Sequence, residues 1–239
     1  MIQGIVDFHS HILPEMDDGS RSVEESIAML RMASEQGIRH VVATPHFYPK
    51  HDAPERFLKR RAAAEAVLRA EMEKHPNLPS LSMGVEVYYF PGISNSEGIS
   101  ELAIDRKQHI LIEMPMPPWT DAMYRELEGL YTKQGLIPIV AHLDRYIGRF
   151  RTFGIPARLA ELPVLVQANA EFFLQRSTAS MALRMLKKDQ IHLLGSDCHN
   201  LSSRKPNLGQ ALERIGKRLG EDRLDAVRNW QQQVLCDEM

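Results

Sequence analysis

Two histidines one residue apart, His9 and His11, follow an apolar lead-in, Ile5-Val6. In an extended strand residues i and i+2 share a face, so both imidazoles would project side by side from one strand end. A converging pair of this kind makes half of a metal site and needs carboxylates or further histidines to complete it. A carboxylate pair on a turn-forming stretch, Asp17-Asp18-Gly19, lies just downstream. Donor-type residues then recur at the far end of later apolar runs. Thr44-Pro45-His46 ends the run Ile38–Ala43, Glu86 sits inside 81–89, and Glu113 closes His109–Glu113. His142 follows 137–141, and Asp197-Cys198-His199 follows 192–196. Alone, one His-x-His is as readily a strand-end coincidence as a site. The recurrence is what carries the metal reading.

The elements that must hold these residues form a strand–loop–helix rhythm, read here as seven rounds. Strands are expected at 4–8, 38–43, 81–89, 109–113, 137–141, 164–168 and 192–196. Ser22-Val23-Glu24-Glu25 has the form of a capping box opening a first helix, and Gly37 suits its end. Segments 56–73 and 120–133 read as further helices, the first from its Ala, Leu, Arg and Glu content. Leu208–Leu219 and 222–234 are amphipathic enough to close the outside. Apolar strands alternating with helices imply a parallel sheet, and seven rounds in 239 residues point to a barrel-like closure. Chemistry in such barrels sits at the C-terminal ends of the strands.

That rim divides the ten histidines. His9, His11, His46, His142 and His199 fall on it, whereas His40, His109 and His192 lie near strand starts and His51 and His75 in loops or helix ends. With Asp18, Glu86, Glu113 and Asp197 the rim gathers nine donors, more than one ion requires. The count favours two or three divalent ions. Imidazole and carboxylate donors suit Mn, Fe or Zn alike. A carboxylate such as Glu86 inside an apolar strand costs several kcal/mol, roughly, unless a cation meets it.

Composition excludes other classes. The chain is 44% hydrophobic and 25% charged, as expected of a cored globular domain, and no composition shift divides it, so 1–239 reads as one domain. A net charge of −2 offers no electrostatic footing for nucleic acid. Cys198 and Cys236, the only cysteines, cannot build a disulfide framework, which fits a reducing cytoplasm. No basic leader precedes an apolar core, and no run reaches the ~20 apolar residues of a membrane span.

Asp7-Phe8-His9-Ser10-His11, Asp17-Asp18-Gly19, Thr44-Pro45-His46, Glu86-Val87-Tyr88-Tyr89, His142 with Arg145-Tyr146, and Ser196-Asp197-Cys198-His199-Asn200 with Arg204 together resemble the PHP (polymerase and histidinol phosphatase) family. More narrowly they are similar to the bacterial CpsB/CapC-type manganese-dependent tyrosine-protein phosphatases. The resemblance spans nearly the whole chain, in order and spacing. It implies a distorted (β/α)7 barrel with a trinuclear centre at the C-terminal ends of the strands: His9, His11, Glu86 and Asp197 around one ion, Glu86 bridging to a second held by Glu113 and His142, and Asp18, His46 and His199 around a third. It also implies hydrolysis of a phosphotyrosine monoester on a protein, a bacterial tyrosine autokinase of capsule or exopolysaccharide production that can itself be membrane-attached. Water made acidic by the cations would attack phosphorus, Arg145 and Arg204 would grip phosphoryl oxygens, and Asp197 and His199 would serve the reaction as well as the metal. Asp144 departs from the glutamate that branch often carries before Arg-Tyr.

Other readings remain. A small-molecule phosphatase of histidinol-phosphate type, a nuclease of PHP type and a non-catalytic metal-binding module all fit part of the pattern. Cys198 and Arg204 also have the C-x5-R spacing of cysteine-dependent phosphatases. The intervening residues lack glycine, however, and the preceding Asp197 would raise the thiol pKa. Phe47, Tyr88, Tyr89 and Trp119 are candidates for a phenol-binding mouth, with ordinary rim packing the alternative for each.

Overall fold

The computed structural model describes residues 4–147 and 153–236. Its strands are β1 (Ile5–Ser10), β2 (Ile38–Ala43), β3 (His46–Phe47), β4 (Ser80–Met83), β5 (Glu86–Tyr88), β6 (His109–Glu113), β7 (Ile137–Val140), β8 (Leu165–Asn169) and β9 (Leu193–Gly195). Every pairing is parallel, in the orders β1-β2-β4 and β3-β5-β6-β7-β8-β9. The two sheets are continuous, because β2 passes into β3 across Thr44-Pro45 and β4 into β5 across Gly84-Val85. Pro45 has no N–H for the ladder, which breaks the strand there. Hydrogen bonds from Gly84 N to Ala43 O (2.8 Å) and Glu86 N to Pro45 O (3.1 Å) carry the pairing over the break. Seven strand paths result, as the sequence rhythm implies.

Closure comes from the two ends of the sheet. Asp197 N donates to His9 O (2.8 Å) and His11 N to Cys198 O (2.9 Å), beside a parallel bridge between Ser10 and Cys198. Lower on the same seam, the last helix supplies the missing partner. The Gln231 amide donates to Val6 O (3.1 Å) and accepts from Val6 N (3.2 Å).

Nine α-helices flank the strands among the described residues: α1 (Val23–Glu35), α2 (Pro54–Met72), α3 (Asp121–Gln134), α4 (Leu143–Tyr146), α5 (Ile155–Leu159), α6 (Ala170–Leu174), α7 (Ala179–Lys187), α8 (Leu208–Leu219) and α9 (Glu221–Cys236). Ser22 caps α1 through the N–H of Glu25 (3.2 Å), as its sequence signature requires; the Glu25 carboxylate takes the N–H of Arg21 instead of that of the cap. Helices α4 to α7 were not expected. Most are a turn or so long, too short to show a period. No described helix is long and apolar enough to cross a membrane.

The lower lumen is apolar. Val6, Phe8, Val42, Leu111, Ile139, Leu165 and Leu193 fill it, with Val234 and Leu235 of α9 in the same cluster. Each such side chain contributes about 1.5–3 kcal/mol by leaving water. A second layer of apolar residues joins the strands to the helices. On β1 a register irregularity between Asp7 and Ser10 changes the phase of the strand. Val6 and Phe8 therefore join the lumen plug while His9 faces Glu86 above it. Irregularities of this kind re-aim side chains beside functional sites.

Candidate metal centre

Above the plug, the expected residues converge. Glu86 is 1% exposed and four imidazoles approach its carboxylate. His142 Nε2 lies 2.8 Å from Oε1, while His46 Nδ1 (2.9 Å), His9 Nε2 (3.1 Å) and His11 Nε2 (3.2 Å) face Oε2. Glu113 is 3.6 Å from His142 and 3.8 Å from His46. Asp197 stands 3.5 Å from both His9 and His11 and 3.6 Å from His199. Asp18 completes the set at 3.4 Å from His199 and 3.7 Å from His46. All nine donors named from the sequence lie in one mouth, at the C-terminal ends of the strands.

Two of them sit on left-handed backbone, His142 at φ 32° and Asp197 at φ 54°. Such conformations cost a non-glycine residue roughly 1–3 kcal/mol and persist where the surroundings impose them. At Gly195, just before this turn, an added Cβ would lie 2.5 Å from that of His9 and 2.8 Å from Gln167 Nε2. The strand approaches its neighbours so closely that only glycine fits.

Three groupings could hold cations, each with donor atoms within 4.8 Å of one another: His11, Asp18, His46 and His199; His9, His11 and Glu86; and His46, Glu86 and Glu113. The fit to metal can be judged from the hydrogen bonds. His46 Nδ1 and Glu86 Oε2 are 2.9 Å apart yet neither makes a hydrogen bond, and Glu113 Oε2 and His199 Nε2 are likewise buried without one. His9 and His11 bring two Nε2 atoms within 3.1 Å of each other. Buried lone pairs that face each other off axis are aimed at a shared third point, and ions of the kind that imidazole and carboxylate prefer satisfy them. The residues fit the group.

The charge balance says the same. Burial disfavours the Glu86 carboxylate, but His9, His11, His142 and His46 outweigh it and hold its pKa well below the ordinary range. Burial likewise opposes a charged His11, yet the hydrogen bond to Asp17 and the nearby Asp197 and Glu86 carboxylates raise its pKa well above normal. Burial pushes the His142 pKa down, with Arg145 and His9 adding to the fall against the Glu86 carboxylate. His199 falls to about 4, first through burial and then through the His11 charge, which leaves a neutral imidazole suited to coordination.

Residues to which the sequence reading gave no role at the metal fix these donors. Asp17, beside Asp18, bonds His11 Nδ1 (2.7 Å) and accepts from His46 N (2.8 Å), so it orients two ligands at once. Gln167 accepts from His142 N (2.6 Å) and meets His9 Nδ1 at 3.3 Å. Asn169 donates to Asp197 (3.0 Å). Asp7 takes Ser196 N at 2.8 Å and His9 N at 3.2 Å. The available signal was period: Gln167 and Asn169 are polar at i and i+2 of an apolar strand, and Asp7 stands two before His9. Partners of this sort set ring orientation and basicity.

The arginines flank Asp197, one per oxygen: Arg145 Nη2 at 2.5 Å from Oδ2 and Arg204 Nη2 at 2.8 Å from Oδ1. Each side chain is 36% exposed and so reaches from the mouth inward. Asp144 does not displace Arg145; its carboxylate accepts from Asn169 N (2.9 Å) and pins the end of β8.

Cys198 is buried, and that burial, with Asp7 and Asp197 nearby, pushes its thiol pKa up. Four N–H groups of the following loop are spent inside it: His199 N and Asn200 N donate to Arg204 O, and Ser202 N and Arg204 N to Asn200 Oδ1. Those groups are not turned toward an anion in front of the thiol, and burial disfavours the thiolate. For three of the four aromatics named from the sequence, the packing alternative holds. Phe47, Tyr89 and Trp119 are buried, Phe47 against Phe57 and Trp119 against Tyr146. Tyr88 is half-buried; the exposed aromatic at the rim is Tyr48, which the sequence reading passed over.

Among known proteins, the family model for capsular polysaccharide synthesis, CpsB/CapC, matches residues 5–234. The tyrosine-protein phosphatase CpsB of Streptococcus pneumoniae is 28% identical over 231 residues, 90% of this chain and 91% of its own. The tyrosine-protein phosphatase YwqE of Bacillus subtilis (strain 168) is 28% identical over 227 residues, 91% and 86%. A solved structure from work on YwqE and S. pneumoniae CpsB, described as unique metal-dependent tyrosine phosphatases, superposes with a TM-score of 0.83 at 24% identity, over 98% of this chain and 96% of that one. That superposition establishes the fold.

Proposed function

The chain belongs to the CpsB/CapC family of capsular polysaccharide synthesis, and from that premise we propose that it is a metal-dependent protein-tyrosine phosphatase acting in the cytoplasm as a single domain. The observation that carries the reading is the Glu86 carboxylate ringed by four imidazoles, with two arginines at the mouth above it. Its substrate is a phosphotyrosyl protein, a bacterial tyrosine kinase of the same synthesis system. His9, His11, Glu86 and Asp197, then Glu113 and His142, then Asp18, His46 and His199 hold two or three divalent ions, with manganese the first choice and iron or zinc alternatives. When bound, such ions make water nucleophilic at neutral pH and offset charge on phosphoryl oxygens.

The protein's own groups do the rest. Arg145 and Arg204 present planar forks that bind phosphoryl oxygens and orient the ester. Asp197 keeps both forks directed inward until substrate takes over their donors. The apolar plug below excludes water from beneath the donors, so the ester enters only from the rim. A phenolate (parent pKa ~10) leaves readily, so the site needs no strong acid for it.

Turnover of a phosphotyrosyl peptide against histidinol phosphate tests this. The peptide is expected to have the higher kcat/KM by at least about tenfold, the equivalent of ~1.4 kcal/mol of preferential binding in the transition state. A preference for histidinol phosphate would favour the small-molecule reading, and release of phosphate from neither would favour a non-catalytic module.

A further inference from the structure

We propose that Tyr48, backed by Tyr88, selects aryl over alkyl phosphate esters by packing against the ring of the leaving group; this deepens the phosphatase reading and rests on it. The argument starts from strand register. β3 and β5 pair His46 with Glu86 and Phe47 with Val87. One step further stand Tyr48, just past the end of β3, and Tyr88, the last residue of β5, with ring centroids 5.7 Å apart. Side chains two residues apart share a face, so both tyrosines form the level immediately above two central donors of the site. Tyr88 also registers with Glu113, which brings a third donor to that same level.

Tyr48 is open where its neighbours are not. It is 37% exposed, whereas Phe47 beside it is 2% exposed. Its ring lies 5.1 Å from that of His46, inclined by 32°. It lines a cavity of about 380 Å³ in which Met16 and Phe57 supply apolar wall and Asp18 and His46 the edge nearest the donors. His51, left unassigned from sequence, lines this same cavity, with its ring 6.3 Å from that of Tyr48.

An aryl phosphate carries its ring directly on the ester oxygen. With the phosphoryl group among the donors and the two arginines, that ring occupies the next level outward, the one Tyr48 and Tyr88 define. An alkyl ester, such as that of a phosphoserine, places a methylene there and leaves the tyrosine rings without an aromatic partner. Offset or edge-on aromatic pairs are the favourable geometry for such contact. Because the contact is made equally in ground and transition states, it acts on KM more than on kcat.

The experiment compares Tyr48→Leu and Tyr48→Phe with the wild-type protein on phenyl phosphate and on a phosphoserine peptide. Tyr48→Leu is expected to raise KM for phenyl phosphate roughly 2- to 12-fold, the range an aromatic pair supports, with little change in kcat or in phosphoserine turnover. Tyr48→Phe should keep the aryl preference. Calorimetric affinity for phenylphosphonate against methylphosphonate gives a readout independent of turnover. Only the phenyl compound should weaken in Tyr48→Leu, at unchanged metal content. Equal loss for both phosphonates, no loss for either, or a fall in kcat for Tyr48→Phe would overturn the proposal. A wild-type protein that hydrolyses neither ester would instead count against the phosphatase reading, and the phosphonate comparison would still decide the stacking.

Discussion

Glu86→Gln is expected to lower kcat/KM toward a phosphotyrosyl peptide by about 10²- to 10⁴-fold and to cut the bound metal, while the protein remains folded. The substitution keeps the shape of the side chain and removes its charge. Among the described residues Glu86 is the one group within 3.2 Å of four imidazoles, and it is shared between two of the three groupings there that could hold cations. Breaking a buried charge pair by removing one member costs about 3–5 kcal/mol. At ~1.4 kcal/mol per factor of ten, that is the range stated. Asp18→Asn is the internal comparison. Its side chain is 67% exposed, so water can replace part of what it supplies and the loss should be smaller. Kinetics, metal analysis and a thermal melt on the two variants check the order. If Glu86→Gln kept near-normal activity, or lost no more than Asp18→Asn, Glu86 would not be the hub of the site.

A chelator should abolish activity to about 1% or less of the starting value, and divalent ions added in excess should restore it. The size of the effect follows from what bound ions supply in phosphoryl transfer, a nucleophile and charge neutralisation together, each worth several kcal/mol. Cys198→Ser should leave activity within about twofold. The thiol is buried, its pKa is raised by burial and by Asp7 and Asp197, and the N–H groups of Cys198, His199, Asn200, Ser202 and Arg204 are already spent within the 196–204 segment. Phosphate-release assays on the two preparations decide between mechanisms. A chelator-resistant protein inactivated by Cys198→Ser would reverse the assignment and return Cys198 and Arg204 to the centre of the chemistry.

The parts of this molecule that could be read from sequence share a physical reason. Parallel strands buried on both faces appear as continuous apolar runs, so Ile38–Ala43 and His109–Glu113 are placed to the residue. The donors were legible because a barrel collects them at one kind of position, the far end of each run. What stayed hidden depends on neighbours in space. The run 81–89 gave no sign of its break at Gly84-Val85, which is forced by the Pro45 discontinuity on the adjacent path. Asp17 and Gln167 matter through the ring nitrogens and N–H groups they hold, and those partners lie 6 to 158 residues away in the chain. Phe47 and Tyr48 could be told apart only by phase. Once His46 is placed facing the lumen, Tyr48 must share its side and Phe47 must be buried behind it.

The most direct test of the account is an anomalous difference map from crystals grown with manganese. Two or more peaks are expected inside the mouth, each about 2.0–2.3 Å from nitrogen or oxygen donors, with Glu86 within reach of two of them. A map with no peak among His9, Glu86, His142 and Asp197, in a protein that still hydrolyses phosphotyrosine, would contradict it.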